Sequence, residues 1–82
     1  MKEKIIKLEN GEELTMKVPT VRVLKNAKNR SDKDMEQTIY MIATLTNKQE
    51  SEIEELDIKD FKALQDGIKD FLVEAGFLES DK

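Results

Sequence analysis

The sequence predicts an α+β fold, an N-terminal β-hairpin packed on a small bundle of three to four helices. Three observations predict it. Two short runs of apolar–polar alternation flank an Asn10-Gly11 step, the pattern of a tight hairpin. The stretch Met35–Leu45 is almost free of charge from Ile39 onward, and a helix without a charged face has to be enclosed by its neighbours. Ile58, Phe61, Leu64, Ile68, Phe71, Leu72 and Ala75 recur at helical spacing. A chain of 82 residues leaves no room for a second core, so residues 1–82 are expected to form a single domain.

The hairpin is expected over about residues 4–18. A two-residue Asn10-Gly11 turn would set Lys7 opposite Leu14 and mix the two faces. A three-residue loop, Glu9-Asn10-Gly11 with Gly11 left-handed, sets Ile6 opposite Leu14. One slip in register moves a whole apolar set into water, so the second arrangement is predicted. Ile6, Leu8, Leu14, Met16 and Val18 then make one apolar face, and a lone hairpin needs that face covered. Pro19 ends the second strand because it lacks an N–H.

Thr20 is a candidate N-cap for a helix over about 20–29, with Val21, Leu24 and Ala27 inward and Arg22, Lys25 and Asn29 outward. The central helix is expected over about 32–46. Thr38, Ile39, Ile42 and Thr44 are β-branched, which also suits a buried strand. Length favours the helix, as do Ser31, Asp32 and Asp34, which can satisfy free N–H groups and place negative charge at the positive end. Asn47 tolerates the left-handed conformation that closes a helix. Residues 50–56 read as a short helix anchored by Ile53 and Leu56. The last helix is expected over about 58–75, with Asp57 as cap, Asp60 three positions on, and Leu56 stapled to Phe61. Gly76 is its terminator.

Composition narrows the function. Charged residues make up 39% of the chain and apolar ones 38%, so the core is small. The net charge of −4 is uneven. Residues 1–49 carry ten Lys/Arg against seven Asp/Glu, and residues 50–82 carry four against eleven, giving +3 and −7. Two solvated faces that attract one another within the fold would explain this. Head-to-tail self-association, or a basic partner for the acidic half, would explain it too. The absence of cysteine suits a reducing cytosol. Met-Lys-Glu-Lys-Ile-Ile is followed by charge, unlike a signal peptide, and no stretch is long enough to span a bilayer.

With neither His nor Cys, most nucleophile–base pairs and transition-metal sites cannot be built. Ser31, Ser51 and Ser80 sit in capping or terminal contexts. The acidic group Glu50, Glu52, Glu54, Glu55 and Asp57 lacks the Asp-x-Asp-x-Asp-Gly loop that wraps calcium, and carboxylates at helix starts have an ordinary electrostatic reason. Gly11, Gly67 and Gly76 are too scattered for a phosphate loop. No metal, cofactor or catalytic residue is expected. Arg22, Lys25, Lys28, Arg30 and Lys33 form a basic cluster that could follow phosphates, but the chain is acidic overall and no aromatics lie near the cluster to stack bases.

Four stretches, taken in order, carry a resemblance. They are the hairpin leading into Leu-Thr-Met-Lys-Val-Pro-Thr at 14–20, the helix start Val21-Arg22-Val23-Leu24, the apolar Ile39-Tyr40-Met41-Ile42-Ala43-Thr44-Leu45-Thr46, and Ile53 to Leu64, in which two acids, Leu-Asp, an acid, an aromatic and Leu follow one another. Over about residues 5–72 the chain resembles the small tail assembly chaperones of bacteriophages and prophages, in the family that includes the E and 41 gene products. It departs from the pattern at Gln49 and Glu50, where a Ser-Pro helix start is common.

The resemblance implies a non-enzymatic protein of the bacterial host cytoplasm. Such a protein binds the tape measure protein, keeps its helical and apolar regions soluble, and helps recruit the tail tube protein. Tyr40, Met41, Leu72, Phe77 and Leu78 are the candidate partner-binding residues, because a small core does not need all of them. The alternatives are a small DNA-binding regulator using the Arg22–Lys33 cluster and a plain homo-oligomerisation module.

Overall fold

Alternation around Asn10-Gly11 closes into an antiparallel hairpin, β1 (Glu3–Lys7) and β2 (Glu13–Lys17), with Ile6 opposite Leu14 as the parity of the apolar residues requires. The structure, a computed structural model, describes residues 3–77. The loop is Glu9-Asn10-Gly11. The Leu8 N–H donates to the Glu12 carbonyl at 2.7 Å, the Gly11 N–H donates to the Leu8 carbonyl at 3.0 Å, and Gly11 takes φ +97°. This is a turn followed by a one-residue bulge, in which glycine carries the left-handed step at no steric cost. The inner face holds Leu8, Leu14 and Met16 buried, with Ile6 and Val18 packed at its edge.

Among the described residues four helices follow, α1 (Val21–Arg30), α2 (Asp34–Thr46), α3 (Glu50–Glu54) and α4 (Ile58–Glu74), and the architecture is the α+β one that the sequence predicts. Thr20 caps α1, its hydroxyl accepting from the Val23 N–H at 3.2 Å. The inward stripe of α1 differs from expectation. Val23 packs on the core and Ala27 is buried, whereas Val21 is 74% exposed. At about 100° per residue, Val21 lies some 200° around the helix from Val23, so the Val23–Ala27 pair turns it away from α2.

α2 begins at Asp34, two residues later than expected, and its N-cap, Lys33, makes no side-chain cap bond. Ser31 serves the link instead. Its N–H closes α1 on the Ala27 carbonyl and its hydroxyl accepts from the Lys33 N–H at 3.0 Å. The uncharged run lies at the centre, touching β2, α1, α3 and α4, with Ile42, Ala43, Leu45 and Thr46 buried. The Thr46 hydroxyl donates to the Ile42 carbonyl at 2.6 Å, so this buried polar group is satisfied within its own helix. Asn47 ends α2 in the left-handed region at φ 60°.

Gln49 starts α3 with a capping box closed by Glu52. Ile53 is buried and Leu56 half-buried. α4 is capped by Asp57, which accepts from the Lys59 N–H at 2.9 Å. Asp60 does not complete that cap. It is 3% exposed and accepts the Glu9 N–H at 2.7 Å, tying the hairpin loop to the start of α4. Ile58, expected on the inward ridge, is 74% exposed because it precedes the part of α4 that the hairpin and α2 cover.

Leu64, Gly67, Ile68 and Phe71 face the core. A Cβ at Gly67 would lie 2.5 Å from Ile6 Cδ1, so the missing side chain lets the hairpin settle on the helix. At the far end Lys4 meets Glu74 at 3.1 Å and lies 4.9 Å from the Phe71 ring centroid. Gly76, at φ +81°, turns the chain back. Its N–H donates to the Val73 carbonyl at 3.0 Å, and that of Phe77 donates to the Leu72 carbonyl at 2.8 Å, the Schellman pattern. Among the described residues no helix is long and apolar enough to cross a membrane.

Candidate protein-binding groove

The turn at Gly76 and the rotation of α1 together leave an open groove of about 580 Å³ between α1, α2 and the end of α4. Val21 and Leu24 line it from α1, Met41 from α2, Leu72 from α4, and Phe77 from just beyond. Each is there for a local reason. α1 lies against α2 with Val23 packed on the core and Ala27 buried at the floor of the groove, which leaves Val21 and Leu24 along its rim. The Schellman bonds fold Phe77 back beside Leu72. Met41 and Leu72 are half-buried, while Phe77 is 65% exposed. An unbranched thioether at Met41 adapts to differently shaped partners more readily than a branched chain. A second depression of about 430 Å³ shares Met41 and Leu72 and continues the seam along α2 and α4 between polar borders that include Thr38 and Gln65.

The electrostatics of the groove are one-sided. Lys25 and Lys28 stand on its α1 wall, and among the described residues no carboxylate lines it. Neither lysine has a carboxylate partner among the described residues. An apolar trough with cations along one wall can hold the apolar face of a helix while attracting acidic flanks, as in helix-in-groove recognition.

Of the residues singled out from sequence, Met41, Leu72 and Phe77 converge here. Tyr40 does not. It faces the α1–α2 link, where the Arg30 guanidinium lies 5.5 Å from its ring centroid. Leu78 lies outside the described residues. Val21 and Leu24, assigned to the core by spacing, are groove residues that the sequence reading missed. The short α1 carries two overlapping apolar stripes, and only packing on α2 decides between them. The basic cluster is partly engaged within the fold, since Arg30 also pairs with Glu50 at 2.7 Å.

A second apolar surface lies where the beginnings of α2 and α4 meet α3. Met35, Ile39, Leu56, Ile58 and Phe61 surround a depression of about 200 Å³ with Glu54 in its wall.

Hairpin, enclosed central helix and lysine-flanked groove define a small α+β protein with a surface suited to apolar side chains. Residues 8–73, from the last inward residue before the hairpin loop almost to the end of α4, match the family model described as phage tail assembly chaperone proteins, E, or 41 or 14. The chain belongs to the phage tail assembly chaperone family. No curated protein and no solved structure matches it. Membership implies phage tail proteins as partners and suggests a role in assembly rather than in chemistry.

Proposed function

We propose that this protein binds the tape measure protein of a phage tail, takes an apolar helical segment of it into the groove between α1 and α4, and keeps it soluble while the tail tube assembles. The observation that carries this reading is the convergence of Met41, Leu72 and Phe77 with Val21 and Leu24 in one open trough, in a chain of this family. A long helical partner exposes apolar stripes before its assembly partners cover them, and such stripes aggregate unless shielded. The part played is non-enzymatic. Binding needs only apolar contact and the lysines on one wall, and it takes place in the cytoplasm of the bacterial host.

Co-expression with the tape measure gene of the same phage tests the reading. The expected result is a soluble complex that co-purifies, weakened when Leu72→Asp is introduced into a chain that still shows its helical circular dichroism. A tape measure protein that gains no solubility from co-expression would overturn it.

A further inference from the structure

α1 carries Arg22, Lys25, Lys28 and Arg30 and no acid, in a chain whose net charge is −4. These cations meet different surroundings. Arg30 is engaged within the fold, by Glu50 at 2.7 Å and by the Tyr40 ring. Lys25 and Lys28 are exposed, line the groove, and have no carboxylate partner among the described residues. Their placement is regular. Lys25 follows Val21 by four residues and Lys28 follows Leu24 by four, so each lysine stands one turn beyond an apolar groove residue on the same face. The two lysines are three residues apart, about 4.5 Å along the helix axis. Across the trough Gln37, Met41, Leu72 and Phe77 bring no charge.

We propose that the groove selects one kind of segment, an amphipathic helix whose apolar stripe is bordered on one side by two carboxylates three or four residues apart, and that Lys25 and Lys28 are the residues that read this pair. The inference rests on the reading that the groove receives a tape measure segment, and adds which segments it accepts. Carboxylates at that spacing rise about 4.5–6 Å along their own helix, which matches the separation of the lysines. A long helical partner offers many apolar stripes, and apolar contact alone discriminates poorly among them. A second criterion comes from charge. A stripe flanked by lysines meets like charge on the α1 wall, and an uncharged one forgoes the attraction. Apolar side chains supply most of the affinity and the exposed charges supply the choice, which makes the choice weaken with salt.

Overlapping peptides that cover the tape measure protein of the same phage test it, with binding to the purified full chain read by fluorescence anisotropy at low and high salt. The peptides that bind are expected to carry the acid pair beside an apolar stripe and to lose affinity as salt is added. Replacing both acids of the tightest peptide by lysine should weaken it roughly tenfold at low salt. A chain with Lys25→Glu and Lys28→Glu should lose the original peptide to a similar degree and recover the lysine-substituted one. Both side chains are exposed, so this variant is expected to keep its fold, which circular dichroism checks. Leu72→Asp separates the two readings, since it should weaken every peptide whatever its charge. Peptides that lose affinity to Leu72→Asp but not to the lysine reversal would overturn the acid pair and leave the groove standing. A complete lack of peptide binding would overturn both. A short duplex DNA that binds more tightly than any peptide would assign the lysines to phosphates and overturn the proposal as well.

Discussion

The two long sides of α4 meet different surroundings. One lies under the hairpin and against α2, where Leu64 has no exposed surface and Gly67 admits Ile6 at contact distance. The other runs toward the groove, where Leu72 is half-buried and Phe77 just beyond it is open. The same helix therefore supplies both the core and one wall of the groove. The difference lies in what is laid over each side. The hairpin is fixed to α4 at both ends, by Glu9 on Asp60 and by Lys4 on Glu74 and Phe71, whereas α1 lies against α2 with Val23 packed on the core and Val21 left exposed.

If that contrast is right, substitutions on the covered side should cost stability and those on the open side should cost binding. Leu64→Ala has the largest expected effect, a loss of roughly 2–5 kcal/mol, because a fully enclosed side chain leaves a cavity that the packed strands cannot close. Chemical denaturation reads it directly, and a loss below about 1 kcal/mol would mean that this side is less tightly packed than described. Asp60→Ala comes next, at about 1–3 kcal/mol, since it strands the Glu9 N–H without an acceptor. Asp60→Asn keeps an acceptor oxygen and should recover part of that loss. The smallest stability change, within about 0.5 kcal/mol, is expected for Val21→Ser at the groove. The same variant should weaken capture of the tail partner. A melting shift as large as that of Asp60→Ala would erase the distinction between the two sides.

Much of the fold is legible in the sequence because local rules and packing agree. Register follows from parity around Asn10-Gly11, the ends of α2 and α4 follow from Asn47 and Gly76, and the central position of α2 follows from its missing charged face. Legibility fails where one residue type has two uses. A carboxylate three positions after a cap reads as a capping partner, yet Asp60 reaches a backbone N–H fifty-one residues earlier in the chain. Val21 and Val23 both fit an apolar stripe, and α2 selects the second. Ser31 looks like a helix start and serves the preceding link. The groove is half legible for the same reason. The excess of apolar residues over a small core points to Met41, Leu72 and Phe77, but it points equally to Tyr40, whose neighbour Arg30 comes from the preceding helix. The contribution of α1 depends on a rotation that no local pattern encodes.

The bond from Glu9 to Asp60 gives the hairpin loop a property unusual for an exposed turn. Its amide proton is held by a carboxylate beneath the surface, so it can trade with deuterium from solvent only when the sheet lifts away from α4. One loop hydrogen thus keeps time for the docking of the whole hairpin.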